Sequence, residues 1–165
     1  MKEHKITALI QEYKPDELPE AYIDIVDAAK AATKRAHAPY SRFHVGAAIR
    51  MANGEIISGA NQENAAFSAG TCAERSACFY AASKYPGIAM KQIAVAAYLE
   101  RTGKNGNESE PDFQKKPISP CGVCRQALLE YEALYGDIEV VLYGGDAVYV
   151  LPSVKSLMPL SFTEF

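Results

Sequence analysis

Residues 92–99 read QIAVAAYL, and this apolar run decides the fold of the chain. It has the length of one β-strand and is apolar almost throughout, a pattern typical of a strand that is buried on both faces. We therefore predict that it lies in the middle of a sheet. A second run of the same kind, IEVVLYG at 138–144, predicts another buried strand.

Three segments of helical character alternate with these strands. Between residues 19 and 36, apolar side chains recur at steps of three and four, which predicts an amphipathic helix. Pro39 ends it, because the residue before a proline is disfavoured in helical conformation. Helix-forming residues dominate TCAERSACFYAASKY at 71–85 and SPCGVCRQALLEYEALYG at 119–136, which predicts two further helices.

Two short β-prone runs lie between the first and second helices, FHVGAAIRM at 43–51 and EIISGAN at 55–61. An Asn-Gly pair, Asn53 and Gly54, separates them and predicts a β-hairpin. AVYVL at 147–151 predicts one more short strand. The order α-β-β-α-β-α-β-β indicates an α/β fold, a three-layer α/β/α sandwich around a mixed five-stranded sheet.

The length of 165 residues is near the commonest size of a single domain, and we predict one domain spanning 1–165. Hydrophobic residues make up 48% of the chain and charged residues 22%, so the composition is that of a folded protein and unlike that of a disordered one. The segment RTGKNGNESEPDFQKKP at 101–117 is charged, contains Gly and Pro, and has no periodicity. It predicts a long loop.

The charge distribution argues against a nucleic-acid partner. The formal net charge is −3 and the basic residues are scattered, so no patch is suited to following a phosphate backbone. The opening MKEHKITALIQEYK has no apolar core of the signal-peptide kind, and no apolar run approaches the roughly 20 residues that cross a bilayer. We expect a cytoplasmic protein with no membrane partner.

Four cysteines are expected to be reduced in that compartment, where clustered thiols are more often metal ligands or nucleophiles than disulfides. Cys121 and Cys124 form a Cys-x-x-Cys pair at a helix start, where both thiolates can hold corners of a zinc tetrahedron. A redox dithiol uses the same spacing, so the pair alone leaves both readings open. Cys78 is expected to be a small core residue.

Cys72, at the start of another predicted helix, is the natural third ligand. Three protein ligands leave one position open for water, as in catalytic zinc sites, and predict one zinc per chain. Glu74 follows two residues later, so its carboxylate can take a proton from the metal-activated water and deliver it elsewhere. This role for Glu74 argues against a non-catalytic, zinc-stabilised module.

The segments TCAER at 71–75 and PCGVC at 120–124 together resemble the zinc-dependent cytidine deaminase family, in its form with three cysteine ligands. Three further stretches resemble segments of that family in the same order: APYSRFHVGAA at 38–48, NQENAAF at 61–67 and ISPCGVCRQAL at 118–128. The resemblance covers roughly residues 21–165. It implies that an N-terminal extension, 1–20, and the loop at 101–117 are additions to the family domain.

The resemblance also implies roles for individual residues in substrate binding. Phe43 would pack against the cytosine ring, Asn61 and Glu63 would hold the ribose hydroxyls, and Ala73 would contact the substrate. Glu74 would bind and protonate the base. None of the three histidines, His4, His37 and His44, occupies a ligand position of the family signature. His44 lies beside Phe43 and is a candidate for tuning the pocket.

Two more expectations concern charge and assembly. Three thiolates around a dication leave a negative centre, and Arg75 is the candidate that offsets it together with the helix N-termini. Members of the family with a short chain and three cysteines are typically homotetramers, in which an aromatic residue near one C-terminus closes a neighbour's site. LMPLSF at 157–162 resembles that segment, so Phe162 is the candidate.

The activity that this resemblance implies is hydrolytic deamination of cytidine and deoxycytidine to uridine and deoxyuridine, with release of ammonia. The substrate would then be a free nucleoside. One alternative is deamination of a cytosine-like nucleoside antibiotic or another modified nucleoside by the same metal centre. A zinc-stabilised module without turnover is the alternative from another class.

Overall fold

A computed structural model describes residues 1–100 and 111–163 of the chain. Six strands form one mixed sheet: β1 (Gln11–Tyr13), β2 (Phe43–Met51), β3 (Ile56–Ala60), β4 (Met90–Leu99), β5 (Glu139–Tyr143) and β6 (Val148–Leu151). Three helices cover the sheet: α1 (Glu20–Thr33), α2 (Ala73–Lys84) and α3 (Gly122–Tyr135). Two short 3-10 helices lie at Pro15–Glu17 and Val154–Leu157.

The predicted central strand, β4, lies inside the sheet. The strand order is β1-β6-β5-β4-β2-β3, and β4 pairs antiparallel with β2 and parallel with β5. All residues from 93 to 97 are buried. A strand covered on both faces needs apolar side chains on both, which explains the unbroken run in QIAVAAYL.

Two apolar cores lie on opposite faces of this sheet, as the predicted α/β/α sandwich requires. Ala47 and Ile49 of β2 pack with α2 and α3, whereas Ala48, between them, packs with α1. Alternate residues of a strand point to opposite faces, so each strand contributes to both cores. The three-layer prediction is confirmed.

The sheet has one strand more than the five predicted. β1 lies within residues 1–20, forms one edge of the sheet and pairs antiparallel with β6, with Gln11 opposite Val150 and Tyr13 opposite Val148. Tyr13 also packs against the core on the α1 side. A three-residue edge strand is held mainly by backbone hydrogen bonds, so its side chains carry little pattern that could predict it.

The β2–β3 hairpin forms as predicted from the Asn-Gly pair. The N–H of Gly54 donates to the carbonyl of Met51 over 3.0 Å, and Gly54 has a φ of +89°, which glycine adopts without strain. Helix α1 ends earlier than predicted, at Thr33. The chain up to Ala36 continues with tighter hydrogen bonds of the 3-10 type, from Ala36 N–H to Thr33 O over 3.1 Å.

Part of the predicted loop at 101–117 is ordered against the sheet, while residues 101–110 lie outside the described part. The N–H of Gln114 donates to Ala97 O, and the carbonyl of Gln114 accepts from Gly145 N–H, each over 2.8 Å. The segment thus bridges the carboxyl ends of β4 and β5. A Cβ at Gly144 would lie 2.6 Å from Lys115 O, so only glycine fits there.

No helix in the described ranges has the length and apolar character needed to cross a membrane.

Candidate metal centre and active site

Three thiols meet where α2 and α3 begin. The sulfur atoms of Cys72, Cys121 and Cys124 all lie within 4.8 Å of one another. The distance from Cys72 Sγ to Cys121 Sγ is 3.8 Å, and that from Cys121 Sγ to Cys124 Sγ is 3.4 Å. Zinc–sulfur bonds of about 2.3 Å place sulfurs about 3.8 Å apart in a tetrahedron. The three thiols therefore fit three corners of a zinc site.

The predicted ligands are the residues that the structure brings together. Among the described residues, no other set of three potential ligand atoms from His, Cys, Asp or Glu converges in this way. The fourth cysteine, Cys78, is fully buried with its sulfur 3.9 Å from that of Met90, and burial raises its thiol pKa to about 12. The prediction that Cys78 is a core residue is confirmed.

Two of the thiols occupy helix N-cap positions. Cys72 precedes α2 and Cys121 precedes α3, and neither side chain makes a capping hydrogen bond. The first intrahelical bonds run from Ser76 N–H to Cys72 O over 3.0 Å and from Arg125 N–H to Cys121 O over 2.9 Å. The N–H groups of the first turns therefore stay available, and the positive ends of both helices favour thiolates there.

Burial differs among the three thiols. Cys124 is fully buried, Cys72 is half-buried and Cys121 is exposed. The centre therefore lies where two helix starts reach the protein surface, with one thiol fixed by the core and one facing solvent.

The neighbouring thiols shift one another's pKa values. The pKa of Cys72 is lowered to about 5, chiefly by the neighbouring Cys124 thiol, with a further contribution from Arg75. The pKa of Cys124 is raised, chiefly by the neighbouring Cys72 and also by burial. A bound dication would favour the thiolate form of these ligands.

Glu74 lies within the first turn of α2 and is only 4% exposed. Burial raises the pKa of its carboxyl, and the negative charge at Cys72 raises it further. A buried carboxyl with a raised pKa beside a metal site is suited to accept and return a proton.

Arg75 follows Glu74 in the same turn. Burial alone would lower its pKa, but the neighbouring sulfurs of Cys124 and Cys72 raise it overall. Its Nε has no hydrogen-bond partner among the described residues. The role of Arg75 in offsetting thiolate charge stays a prediction.

Asn61, predicted to hold the ribose, uses its side chain to join two strands. Its Oδ1 accepts from Val45 N–H over 2.8 Å, and its Nδ2 donates to Phe43 O over 2.9 Å. The amide therefore fixes the start of β2, including the backbone of Phe43. Sequence reasoning missed this backbone role, which no local pattern announces.

Glu63 lies two residues further along, and its carboxylate holds the turn at residues 40 and 41. Its Oε2 accepts from Tyr40 N–H over 2.9 Å and from Ser41 N–H over 3.2 Å. Hydrogen bonds from Ser41 and Tyr40 lower the pKa of Glu63. The carboxylate is therefore ionised and fixed in orientation at the surface.

Phe43 and His44 point to opposite faces of β2. Phe43 and Val45 are two residues apart in β2, so their side chains point to the same face of the sheet. Val45 packs toward α2 and α3, on the side where the thiols lie. His44 stacks on Tyr98 with ring centres 4.8 Å apart and an angle of 8°. Tyr98 packs edge-on to Phe113. The idea that His44 tunes the pocket has no support from this placement.

The last two candidates lie at different depths. Ala73, the first residue of α2, is fully buried between Cys72 and Glu74. Phe162 is 65% exposed near the C-terminus, where its carbonyl accepts from Gln126 Nε2 over 2.9 Å. Within one chain, the Phe162 side chain thus remains largely at the surface.

A buried carboxylate in α3 was also missed by sequence reasoning. Glu132 is 6% exposed and accepts from the N–H groups of Ile138, Val154 and Lys155, over 3.0, 2.7 and 2.9 Å. It fixes the C-terminal 3-10 helix against α3. A lone glutamate within an otherwise apolar helix face was the available signal.

Known proteins with similar sequences include cytidine deaminases. A family profile for the cytidine and deoxycytidylate deaminase zinc-binding region matches residues 19–136. A cytidine deaminase from Halalkalibacterium halodurans is 34% identical over 139 residues, which cover 84% of this chain and 92% of that protein. A probable cytidine deaminase from Dictyostelium discoideum is 35% identical over 140 residues, covering 84% and 82%.

Solved structures with a similar fold are also cytidine deaminases. The crystal structure of a cytidine deaminase from Burkholderia pseudomallei superposes with a TM-score of 0.67 at 38% identity, covering 88% of this chain and all of that one. That of a cytidine deaminase from Mycobacterium tuberculosis gives a TM-score of 0.63 at 26% identity, covering 87% and 98%.

Proposed function

Because this chain belongs to the cytidine and deoxycytidylate deaminase family, we propose that it hydrolyses cytidine and deoxycytidine to uridine and deoxyuridine, releasing ammonia. The observation that carries the proposal is the convergence of three thiols beside a buried Glu74. The chain is accordingly a zinc-dependent nucleoside deaminase.

Cys72, Cys121 and Cys124 would hold one zinc per chain. When bound, zinc would lower the pKa of a water molecule and so supply the nucleophile. Arg75 and the N-termini of α2 and α3 would offset the negative charge of the three thiolates. Without this compensation, the negative centre would keep the water protonated and so prevent its attack.

Glu74 moves the protons of the reaction. Its carboxylate takes a proton from the attacking water and gives it to the ring nitrogen beside C4, which makes C4 electrophilic. Once the water oxygen is bonded to C4, Glu74 would take the remaining proton from that new hydroxyl and pass it to the amino group. The C4–N bond then breaks, ammonia leaves and the C4 oxygen becomes the carbonyl of the product. The raised pKa of this buried carboxyl suits both steps.

Glu63, Asn61, Phe43 and Ala73 would bind the nucleoside. Glu63 is held by the backbone of Tyr40 and Ser41, so its ionised carboxylate can accept a hydrogen bond from a ribose hydroxyl. Asn61 fixes the strand that carries Phe43, which would pack on the cytosine ring. Ala73 would contact the base from the first turn of α2.

The carboxylate of Glu63 also sets the class of substrate. A polynucleotide would bring a phosphate to the 3′ oxygen, and two negative charges at that range repel. We infer a free nucleoside as substrate. The relatives are cytidine deaminases, which favours cytidine over an antibiotic or modified analogue.

We further propose a homotetramer in which Phe162 closes the site of a neighbour. Large apolar side chains lie exposed before and along α2, at the start of α3 and near the C-terminus, which supports assembly. They are Phe67, Phe79, Tyr80, Val123 and Leu160. The chain would form one domain, with 1–20 and 101–117 as additions to the family core. A reducing compartment such as the cytoplasm would keep the thiols available for metal.

Ammonia release from a small substrate panel tests the proposed function. The panel contains cytidine, deoxycytidine, cytidine 5′-monophosphate and a cytosine-containing oligonucleotide. We expect turnover of the two nucleosides and essentially none of the oligonucleotide. An enzyme with zinc bound that released no ammonia from either nucleoside would contradict the proposal.

A further inference from the structure

Arg125, the residue after the metal ligand Cys124, reaches back to the residues that precede Cys121. Its Nε donates to Pro120 O over 2.7 Å, and its Nη2 donates to Ser119 Oγ over 3.0 Å. Two donors of one planar guanidinium therefore hold the two positions immediately before a metal ligand.

Cys121 needs such support because packing does not hold it. Its side chain is exposed and makes no capping hydrogen bond, whereas Cys124 is fully buried in the core. The position of the Cys121 thiol is therefore set by its backbone. Pro120 is buried, and Arg125 binds its carbonyl from one side while the Arg125 N–H binds Cys121 O.

The third hydrogen bond of Arg125 connects this part of the chain to the C-terminal segment. Its Nη1 donates to Leu157 O over 2.8 Å. Leu157 ends the 3-10 helix that the buried Glu132 fixes through the N–H groups of Val154 and Lys155. The guanidinium thus joins the segment before Cys121 to a 3-10 helix that Glu132 holds against α3.

We propose that Arg125 is a positioning residue, which holds Cys121 at the metal centre by tying the Ser119–Pro120 segment to the C-terminal 3-10 helix. This inference rests on the proposed zinc site. It assigns Arg125 no contact with substrate. Lysine cannot replace it, because a single ammonium on a flexible stem does not reproduce a fork that binds three acceptors at fixed angles.

The test compares Arg125→Ala and Arg125→Lys with the matched control Arg50→Ala. Arg50 also makes two side-chain hydrogen bonds, to Gln92 and Asp24, and neither partner belongs to the metal centre. Zinc affinity is measured by competition with a chromophoric chelator. Cobalt(II) is then substituted for zinc, since its thiolate bands report the ligand geometry, and the melting temperature is recorded for every variant.

We expect Arg125→Ala to weaken zinc binding by about 10–100-fold and to change the cobalt bands, as loss of a group that orients a ligand typically does. Arg125→Lys should recover little of this loss, and it carries the comparison if the alanine variant does not fold. Arg50→Ala should keep wild-type zinc affinity within about twofold, whatever its melting temperature.

Either of two results would overturn the inference alone: wild-type zinc affinity and cobalt bands in both Arg125 variants, or an equal loss of zinc in Arg50→Ala. A wild-type protein that binds no zinc would instead overturn the proposed function, and this inference with it. The two failures are therefore distinguishable.

Discussion

The sulfur atoms of Cys72 and Cys121 lie 3.8 Å apart although 49 positions separate the two residues in the chain. They begin two different helices, α2 and α3, on the same face of the sheet. A metal bound between them therefore ties both helices together, so metal binding and folding are coupled.

The first prediction follows from this coupling. Cys121→Ala should lose stoichiometric zinc and nearly all deaminase activity, and chelation of the wild-type metal should lower the melting temperature. Elemental analysis and thermal unfolding measure these effects. The control is Cys78→Ala, which should lower stability by about 1–2 kcal/mol, as a core truncation does, while keeping its zinc. Full zinc in Cys121→Ala would show that the ligand assignment is wrong.

A second prediction concerns the packing of β3 on α2. A Cβ at Gly59 would lie 2.6 Å from Ala77 N and 3.0 Å from Ala73 O. Gly59→Ala should therefore displace the first turns of α2 and lower the free energy of unfolding by about 1–3 kcal/mol, with loss of turnover. Gly122→Ala, where a Cβ meets nothing within 4 Å, should leave stability unchanged or higher. Denaturant titration compares them, and equal stability of the two variants would refute the packing argument.

Glu63 gives a third prediction, on substrate binding and pH. Glu63→Ala should lower kcat/KM for cytidine by about tenfold or more, because a charge-assisted hydrogen bond is lost. Its pKa lies below the usual range, so the carboxylate stays ionised as pH falls toward 5 and loses its charge only below its folded pKa. Protonation of Glu63 should therefore not raise the KM of the wild type between pH 7 and pH 5. A KM that is unchanged in Glu63→Ala would remove the ribose role.

The fourth prediction addresses assembly. Light scattering should give a tetramer, and Phe162→Ala should raise the KM for cytidine while leaving zinc content unchanged. Phe162 is exposed in the single chain, so a purely internal role would not predict this effect. An active monomer at working concentration would contradict the proposed assembly.

Much of this fold is visible in the sequence because its signals are local. The apolar run at 92–99 has the composition of a strand covered on both faces, and it is one. Asn53 and Gly54 predict a hairpin, and β2 and β3 pair as predicted. The N-terminal strand was missed because Gln11–Tyr13 pairs through its backbone at a sheet edge.

In the candidate site, too, the features that depend on neighbouring residues could be predicted from the sequence, whereas those that join distant segments could not. Cys121 and Cys124 are close in sequence, so their spacing alone, without the fold, suggests either a metal site or a redox dithiol. Cys72 and Glu74, a cysteine followed by a carboxylate upstream of this pair, favour the metal. The hydrogen bonds of Asn61 to β2 and of Arg125 to Leu157 join distant segments, and no single stretch of sequence encodes such pairings. The side of the sheet that His44 faces could have been inferred from strand alternation with Phe43.

Glu74→Gln provides the most direct test of the proposed mechanism. The substitution preserves the shape of the side chain but removes the proton carrier beside Cys72. Zinc content and the kcat for cytidine are measured side by side in the wild type and the variant. We predict one zinc per chain in both, with kcat in Glu74→Gln lower by about 10²–10⁴-fold or more. A zinc-loaded Glu74→Gln variant that deaminates cytidine within a few fold of the wild-type rate would contradict the account.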